Sequence, residues 1–119
     1  MGPNRRRYDR SVIVEQPAFD VTVTRDGETV TVAVHGEVDL STCETLEKAL
    51  SEAMVTPAAR VVVDVDEVGF LDSTGVRALI AGWRQAEARQ LSFEVRNASP
   101  QLLKIFRVTG VADVFGLSA

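Results

Sequence analysis

Hydrophobic and polar residues alternate in two short segments near the start of the chain. In residues 19–24 and again in residues 29–35, every second position is a valine or a phenylalanine. A repeat of two residues is typical of a strand with one buried face. Between the segments, Asp26-Gly27 is a pair favoured in tight hairpin turns. The pattern predicts an antiparallel β-hairpin.

Residues 41–54 follow the spacing of an amphipathic helix instead. Ser41 is followed three residues later by Glu44, which is the spacing of a capping box at a helix start. Four apolar residues fall on one helical face, namely Cys43, Leu46, Leu50 and Met54. We therefore predict a helix that begins at Ser41 and holds Cys43 as a small core residue rather than as a reactive thiol.

A nearly continuous apolar run and a second helical pattern follow. Residues 60–65 contain four valines, which predicts a central strand covered on both faces. A second helix is predicted from about Thr74, because large apolar residues recur there with helical spacing, at Val76, Leu79, Ile80 and Trp83. We expect Trp83 to be largely buried on this helix.

The last third of the chain predicts a strand, a helix and a further short strand. Residues 91–96 alternate, Ser99-Pro100 is typical of a capped helix start, and Gly110 would end that helix. Residues 111–115 predict the last strand. The residues expected to face inward from the third helix are Leu102, Leu103 and Phe106. The order β-β-α-β-α-β-α-β predicts an α/β domain, with a mixed sheet on one side and helices packed on the other.

Composition and charge restrict the classes of function. A chain of 119 residues suits one domain, and no apolar run approaches the length of a membrane span. The first ten residues carry a side-chain charge of +3 and the other 109 carry −7. An acidic body disfavours direct binding to nucleic acid. We expect residues 1–18 to be a flexible basic leader, residues 19–119 to be the folded domain, and the location to be the cytosol.

The sequence offers little for catalysis. His35 is the single histidine and Cys43 the single cysteine, so a transition-metal site, a disulfide within the chain or a histidine-based triad is not expected. His35 lies on the opposite strand face from the neighbouring valines, which indicates a partly exposed side chain. Glycine-rich phosphate-binding motifs are absent from the sequence. We predict a protein that is not an enzyme and uses no cofactor.

The segment Asp72-Ser73-Thr74-Gly75 leads from the buried strand into the second helix. Asp, Ser and Thr are all good capping residues, so a helix cap is the simplest interpretation. Two hydroxyls at a helix start are also well placed as phosphate acceptors, because free backbone N–H groups and the positive end of the helix dipole stabilise a dianion. The residues alone leave both interpretations open.

Several segments together resemble the bacterial STAS-domain family of anti-sigma-factor antagonists. Residues 70–76 are similar to its Asp-Ser-Thr-Gly signature, and residues 34–39 are similar to its Gly-Glu-apolar-Asp segment. Residues 97–100 and 105–111 resemble its third-helix region. The segments keep the family's order and approximate spacing over residues 19–116. The C-terminal helix of the family is expected to be short or missing here.

The resemblance implies a switch controlled by phosphorylation. In the family, the unphosphorylated antagonist binds an anti-sigma factor that is also a serine kinase, which frees the sigma factor. The kinase then phosphorylates the serine after the aspartate, and a PP2C-type metal-dependent phosphatase restores the active form. By position, Ser73 is the acceptor and Thr74 is a secondary candidate. Asp72 and Gly75 would shape the acceptor loop, and Asp39 would lie within the partner-binding surface.

Two alternatives remain open on the sequence. Asp39 equally suits a local cap of the first helix, and one residue can serve both roles. STAS-like domains also act as scaffolds in stress-sensing assemblies and as accessory subunits of lipid transporters, so the resemblance implies these functions as the alternative.

Overall fold

Four strands and three helices form the part of the chain that the computed structural model describes, residues 19–55 and 57–117. The predicted leader, residues 1–18, lies outside it. The elements are β1 (Asp20–Asp26), β2 (Thr29–Val38), α1 (Cys43–Val55), β3 (Arg60–Leu71), α2 (Ser73–Ala88), β4 (Ser92–Arg96) and α3 (Pro100–Val108). No helix in these residues is long and apolar enough to cross a membrane.

The strands form one mixed sheet in the order β1-β2-β3-β4. β1 runs antiparallel to β2, whereas β3 is parallel to both of its neighbours. The predicted hairpin is confirmed, and its turn contains Gly27 with a φ of 61°, a conformation that glycine adopts without a steric cost. Irregular pairing between Ala33 and Glu37 does not separate the strand ends, because Val38 lies opposite Leu71.

The core lies between one face of the sheet and the helices. Buried residues from all three helices join those of this sheet face in one cluster. Its members include Val32, Val63 and Val95 from the sheet and Leu46, Leu79 and Phe106 from the helices. Val62, on the other face of β3, is only 1% exposed although it lies outside this cluster. The mixed α/β sheet with β3 inside it is therefore confirmed. Coverage of β3 on both faces is found only at Val62, because Arg60 and Asp66 on the same face are exposed and Asp64 is partly buried.

The start of α1 differs from the prediction. The helix begins at Cys43, and the Ser41 hydroxyl donates to Asp39 instead of capping the helix. The backbone N–H groups of Thr42 and Cys43 donate to the Asp39 carbonyl at 3.1 and 2.8 Å. The predicted capping box is wrong, because the Ser41 hydroxyl is hydrogen-bonded to Asp39 in the turn before the helix. Cys43 is partly buried against the core, as a small core residue would be.

The buried face of α2 is shifted from the predicted stripe. Small residues dominate it, and its members are Gly75, Val76, Ala78, Leu79, Gly82 and Ala86. Trp83 packs at the margin of the core and remains partly exposed. A Cβ atom on Gly82 would lie 2.8 Å from Leu50 Cδ1, so the small residues allow close approach of α1 and α2. Close helix packing therefore decides which face is buried.

The start of α3 is confirmed. The Ser99 hydroxyl accepts a hydrogen bond from the Leu102 N–H group at 3.2 Å, and Pro100 occupies the first turn. Leu102 and Phe106 are buried, whereas Leu103 is only partly buried. The helix ends at Val108, just before Gly110.

The predicted last strand is wrong. Residues 112–116 form turns, and the element order ends with α3. One hydrogen bond, from the Val95 N–H group to the Phe115 carbonyl at 3.0 Å, connects these turns to the outer edge of β4. The Phe115 ring packs edge-on against Phe106, with 5.2 Å between ring centroids. Burial of Phe115 under α3 thus takes the place of strand pairing.

Truncation of Phe106 tests this arrangement of the core. We expect Phe106→Ala to lower the free energy of unfolding by about 3–5 kcal/mol, because it leaves a cavity in place of a fully buried ring. The measurement is equilibrium unfolding in urea. Val108→Ala is the control on the same helix, since Val108 is 77% exposed and its loss should change stability by less than about 0.5 kcal/mol. Equal effects of the two substitutions would contradict the assignment.

Candidate functional site

The candidate site lies where the parallel strands β2 and β3 end side by side. Each strand leads through a short connection into a helix, so the N-termini of α1 and α2 meet at the same edge of the sheet. The Asp72 N–H group donates to the Val38 carbonyl at 3.2 Å and ties the two connections together. The structure therefore brings the segment that begins at Asp72 close to Asp39, which follows Val38.

Asp72 is the N-cap of α2. Its Oδ1 atom accepts hydrogen bonds from the N–H groups of Thr74 and Gly75, at 2.9 and 3.1 Å, and from the Thr74 hydroxyl at 2.5 Å. The hydroxyl bond, followed by the two backbone bonds, holds the pKa of Asp72 below its ordinary value, although partial burial and the charge of Asp39 act in the opposite direction. The capping role of Asp72 is thus confirmed.

Asp39 organises the turn before α1. Its Oδ1 atom accepts from the Ser41 N–H group at 2.9 Å and from the Ser41 hydroxyl at 2.7 Å. The Ser41 hydroxyl bond is the largest cause of a lowered pKa for Asp39. The Asp39 N–H group donates to the Thr42 hydroxyl oxygen at 3.0 Å. Asp39 therefore has the local role that the sequence left open, and its carboxylate adds negative charge beside Asp72.

The two hydroxyls at the start of α2 have different surroundings. Ser73 is the first residue of the helix, is exposed, and its hydroxyl has no hydrogen-bond partner among the described residues. Thr74 is partly buried, and its hydroxyl is bound to Asp72. Sequence reasoning ranked Ser73 above Thr74 by resemblance alone. The hydrogen bonding gives a physical reason to rank Ser73 above Thr74 as a candidate phosphate acceptor.

Gly75 allows the first turn of α2 to rest on the strand ends. A Cβ atom at this position would lie 2.9 Å from both Leu71 Cγ and Val38 Cγ1, and 3.1 Å from the Val38 carbonyl oxygen. Such distances are too short for a side chain without a shift of the helix. Gly75 therefore sets the distance between the strand ends and the first turn of α2, which contains Ser73.

Exposed apolar side chains adjoin the site, and sequence reasoning did not single them out. Leu40 follows Asp39 and is 76% exposed, and Phe70 precedes the acceptor loop and is 44% exposed. Large apolar residues with such exposure are common features of contact surfaces when they occur near one another. Leu40 directly follows Asp39 and Phe70 lies two residues before Asp72, and these positions were the available sequence signal.

The site has no evident metal-binding set. Within residues 19–55 and 57–117, no group of three or more His, Cys, Asp or Glu side chains is arranged to hold a metal ion. His35 lies on the face of β2 opposite its buried valines, as predicted, and is partly buried. Its Nδ1 atom is buried without a hydrogen-bond partner among these residues.

Comparison with known proteins identifies the family. Residues 21–117 match the family described as "Mlab, STAS domain". Because the match spans most of the chain, the protein belongs to the STAS domain family. The predicted family resemblance is confirmed.

Individual relatives are named as antagonists. The anti-sigma-B factor antagonist of Listeria monocytogenes is 28% identical over 90 residues, which is 76% of this chain and 79% of the relative. A solved anti-sigma factor antagonist from Mycobacterium paratuberculosis has a TM-score of 0.75 at 26% identity, with 82% of this chain and 83% of that one covered. The Bacillus protein SpoIIAA, solved in phosphorylated form, has a TM-score of 0.63 at 26% identity, with coverage of 81% and 86%.

A pair of glycine substitutions tests how the acceptor loop is supported. We expect Gly75→Ala to lower the free energy of unfolding by about 1–3 kcal/mol, because the added methyl group overpacks the contact with Val38 and Leu71. Gly69→Ala is the control, since a Cβ atom there meets nothing within 4 Å. Urea denaturation measures both. Unchanged stability of Gly75→Ala would show that α2 does not rest on the strand ends.

The lowered pKa of Asp72 predicts a dependence of stability on pH. Because the folded-state pKa lies below the unfolded one, the contribution of ionised Asp72 is complete above about pH 4 and is lost as pH falls through the folded-state value. We expect Asp72→Asn to flatten the decline in unfolding free energy below about pH 4. The measurement is urea denaturation across the acid range. An identical decline in both proteins would contradict the prediction.

Proposed function

We propose that this protein is an anti-sigma-factor antagonist that is switched by phosphorylation of Ser73. In its unphosphorylated form it binds an anti-sigma factor that is also a serine kinase, and the sigma factor is released. The observation that carries the proposal is the exposed Ser73 hydroxyl, which no other residue in the described part of the chain binds, next to the Asp72 cap in a member of the STAS family. The chain acts in the cytosol, as a binding protein and kinase substrate rather than as an enzyme.

The difference between the two hydroxyls supports Ser73 as the acceptor. A kinase must place the attacking oxygen in line with the γ-phosphate of ATP, so an exposed and unbonded hydroxyl has the advantage. Attack by Thr74 would require loss of the hydrogen bond from its hydroxyl to Asp72. The phosphate on Ser73 would lie at the helix N-terminus, where the dipole stabilises negative charge.

The electrostatics of the site support release of the partner after phosphorylation. A phosphoserine carries a charge of about −1.5 to −2 at pH 7. It would be added beside Asp39 and Asp72, on a domain that is already acidic. A partner would then have to desolvate a dianion at the contact centre. A loss of about 3 kcal/mol in binding free energy lowers affinity by about 100-fold, and the fold itself need not change.

The partner-binding surface is assigned to the residues around the acceptor. Leu40, in the connection after β2, and Phe70, near the end of β3, provide exposed apolar area, while Asp39 and Asp72 hold the loops that follow these two strands. Gly75 sets the position of the loop. A PP2C-type phosphatase would remove the phosphate and restore binding. No direct contact with nucleic acid is part of the proposal.

A second candidate is a scaffold or an accessory subunit of a stress-sensing or lipid-transport complex. The observation that favours it is the description of the matched family, which names a STAS domain and Mlab rather than an antagonist. Such a role needs the same binding surface but no phosphate transfer to Ser73. Binding partners and phosphorylation therefore distinguish the two candidates.

The test measures phosphorylation and partner release with three proteins. The native chain, Ser73→Ala and Thr74→Ala are immobilised, the kinase retained from native cytosol is identified, and ATP is added. We expect one phosphate on Ser73 by mass spectrometry and release of the kinase from the native chain. Ser73→Ala should bind the kinase and resist release, because it lacks the acceptor. Thr74→Ala should still be phosphorylated.

Different outcomes overturn different parts of the proposal. A phosphate on Thr74, or normal release of Ser73→Ala by ATP, would refute Ser73 as the acceptor. Retention of transporter subunits without any kinase would refute the antagonist function and favour the second candidate.

A further inference from the structure

We infer that Arg77 binds the phosphoryl group once Ser73 is phosphorylated and is thereby withdrawn from the partner-binding surface. The inference rests on the proposed modification of Ser73 and deepens it. Arg77 would thus have a phosphate-binding role, although neither the sequence motif nor the capping hydrogen bonds include it.

The helix geometry places Arg77 next to Ser73. The two residues are four positions apart on α2, so they lie on the same side of the helix with Cβ atoms about 5–6 Å apart. Side chains on a helix tilt toward its N-terminus, and the long arginine side chain therefore extends in the direction of Ser73. Both residues are exposed.

Arg77 also lines a depression at the start of the two helices. The depression is shared by Cys43 and Glu47 of α1 and by Thr74 and Arg77 of α2. Thr74 is the neighbour of Ser73 in the chain. Arg77 therefore lies on the side of α2 that faces this depression, one turn from Ser73.

The guanidinium group of Arg77 is uncommitted. It makes no hydrogen bond or ion pair with any residue that the structure describes, whereas Arg60 and Arg96 both pair with Glu94. A planar guanidinium presents parallel N–H donors that match two phosphate oxygens. No existing bond within the described part of the chain would have to break before Arg77 accepts a phosphate.

The charges around Ser73 favour this pairing. Asp72 precedes Ser73, Asp39 lies close enough to interact with Asp72, and Glu47 lines the depression with Arg77. A dianion among three carboxylates is unfavourable unless a cation compensates part of its charge. Arg77 is the cation on this depression that can do so.

Pairing of Arg77 with the phosphate would change the charge of the surface that a partner contacts. Before phosphorylation, Arg77 offers a positive group on an acidic domain and can contact an acidic group of the partner. After phosphorylation, the Arg77 guanidinium group is paired with the phosphate and no longer available to the partner. The modification would therefore remove a favourable contact in addition to introducing repulsion.

The experiment uses chains in which phosphoserine is incorporated at position 73 during translation, so that no kinase is needed. The second ionisation of the phosphate is followed by ³¹P NMR in the native background, in Arg77→Gln and in Arg84→Gln. Arg84 is exposed on the same helix, about three turns from Ser73, so its loss removes the same charge at a distance. The groups that can titrate nearby are Asp39, Cys43, Glu47 and Asp72.

We expect Arg77→Gln to raise the phosphate pKa by about half a pH unit, because a neighbouring cation stabilises the dianion. Arg84→Gln should leave it unchanged, and Arg77→Lys should restore most of the native value. Equal phosphate pKa values in the native chain and Arg77→Gln would overturn the inference. Failure of a kinase to modify Ser73 would refute the proposed function but would not affect this result.

Discussion

The alignment of two parallel strand ends is the constraint on which the rest of the site depends. β2 and β3 stop at neighbouring residues, and the hydrogen bond from Asp72 to the Val38 carbonyl fixes the two following loops together. Gly75 then lets α2 sit directly on the strand ends. Parallel pairing puts the two helix N-termini at one edge of the sheet, and these contacts set how closely the second helix approaches it. Everything proposed for Ser73 relies on that common edge, because it places the hydroxyl on a surface formed by both loops.

Capping and function are combined in the same residues. Asp72 satisfies the first N–H groups of α2, which would otherwise lack partners, and in doing so it engages the Thr74 hydroxyl. Asp39 has a comparable role before α1, where it accepts hydrogen bonds from Ser41. As a result the two hydroxyls differ, because that of Thr74 is hydrogen-bonded to Asp72 whereas Ser73 is exposed. Two nearby carboxylates with lowered pKa values stay ionised at neutral pH, so the surface is already sensitive to additional negative charge.

The sequence predicted those features that local chemistry determines. The hairpin turn with Gly27 and the helix start at Ser99 depend on residues within a few positions of one another, and both are confirmed. The start of α1 was mispredicted because Ser41 had a competing partner in Asp39. The turns around Phe115 and the buried face of α2 depend on packing between distant segments, which no local pattern records. Motifs singled out Asp39 and residues 72–75, which the structure brings to one edge of the sheet. The hydroxyl bond from Thr74 to Asp72, which distinguishes Thr74 from Ser73, could not be predicted from the sequence.

The proposed switch at Ser73 would work through charge on a rigid support. The acceptor loop is held by backbone hydrogen bonds, a carboxylate cap and a glycine contact, so a phosphate on Ser73 has little freedom to reorganise the fold. Its effect must therefore be expressed at the surface, through repulsion, desolvation and competition for nearby cations. Arg77 is the element that links these effects, because a helix spacing of four residues connects the modified group to a positive charge. In the proposed switch, rigidity would thus convert a local change in charge into a change in the partner that the surface can bind.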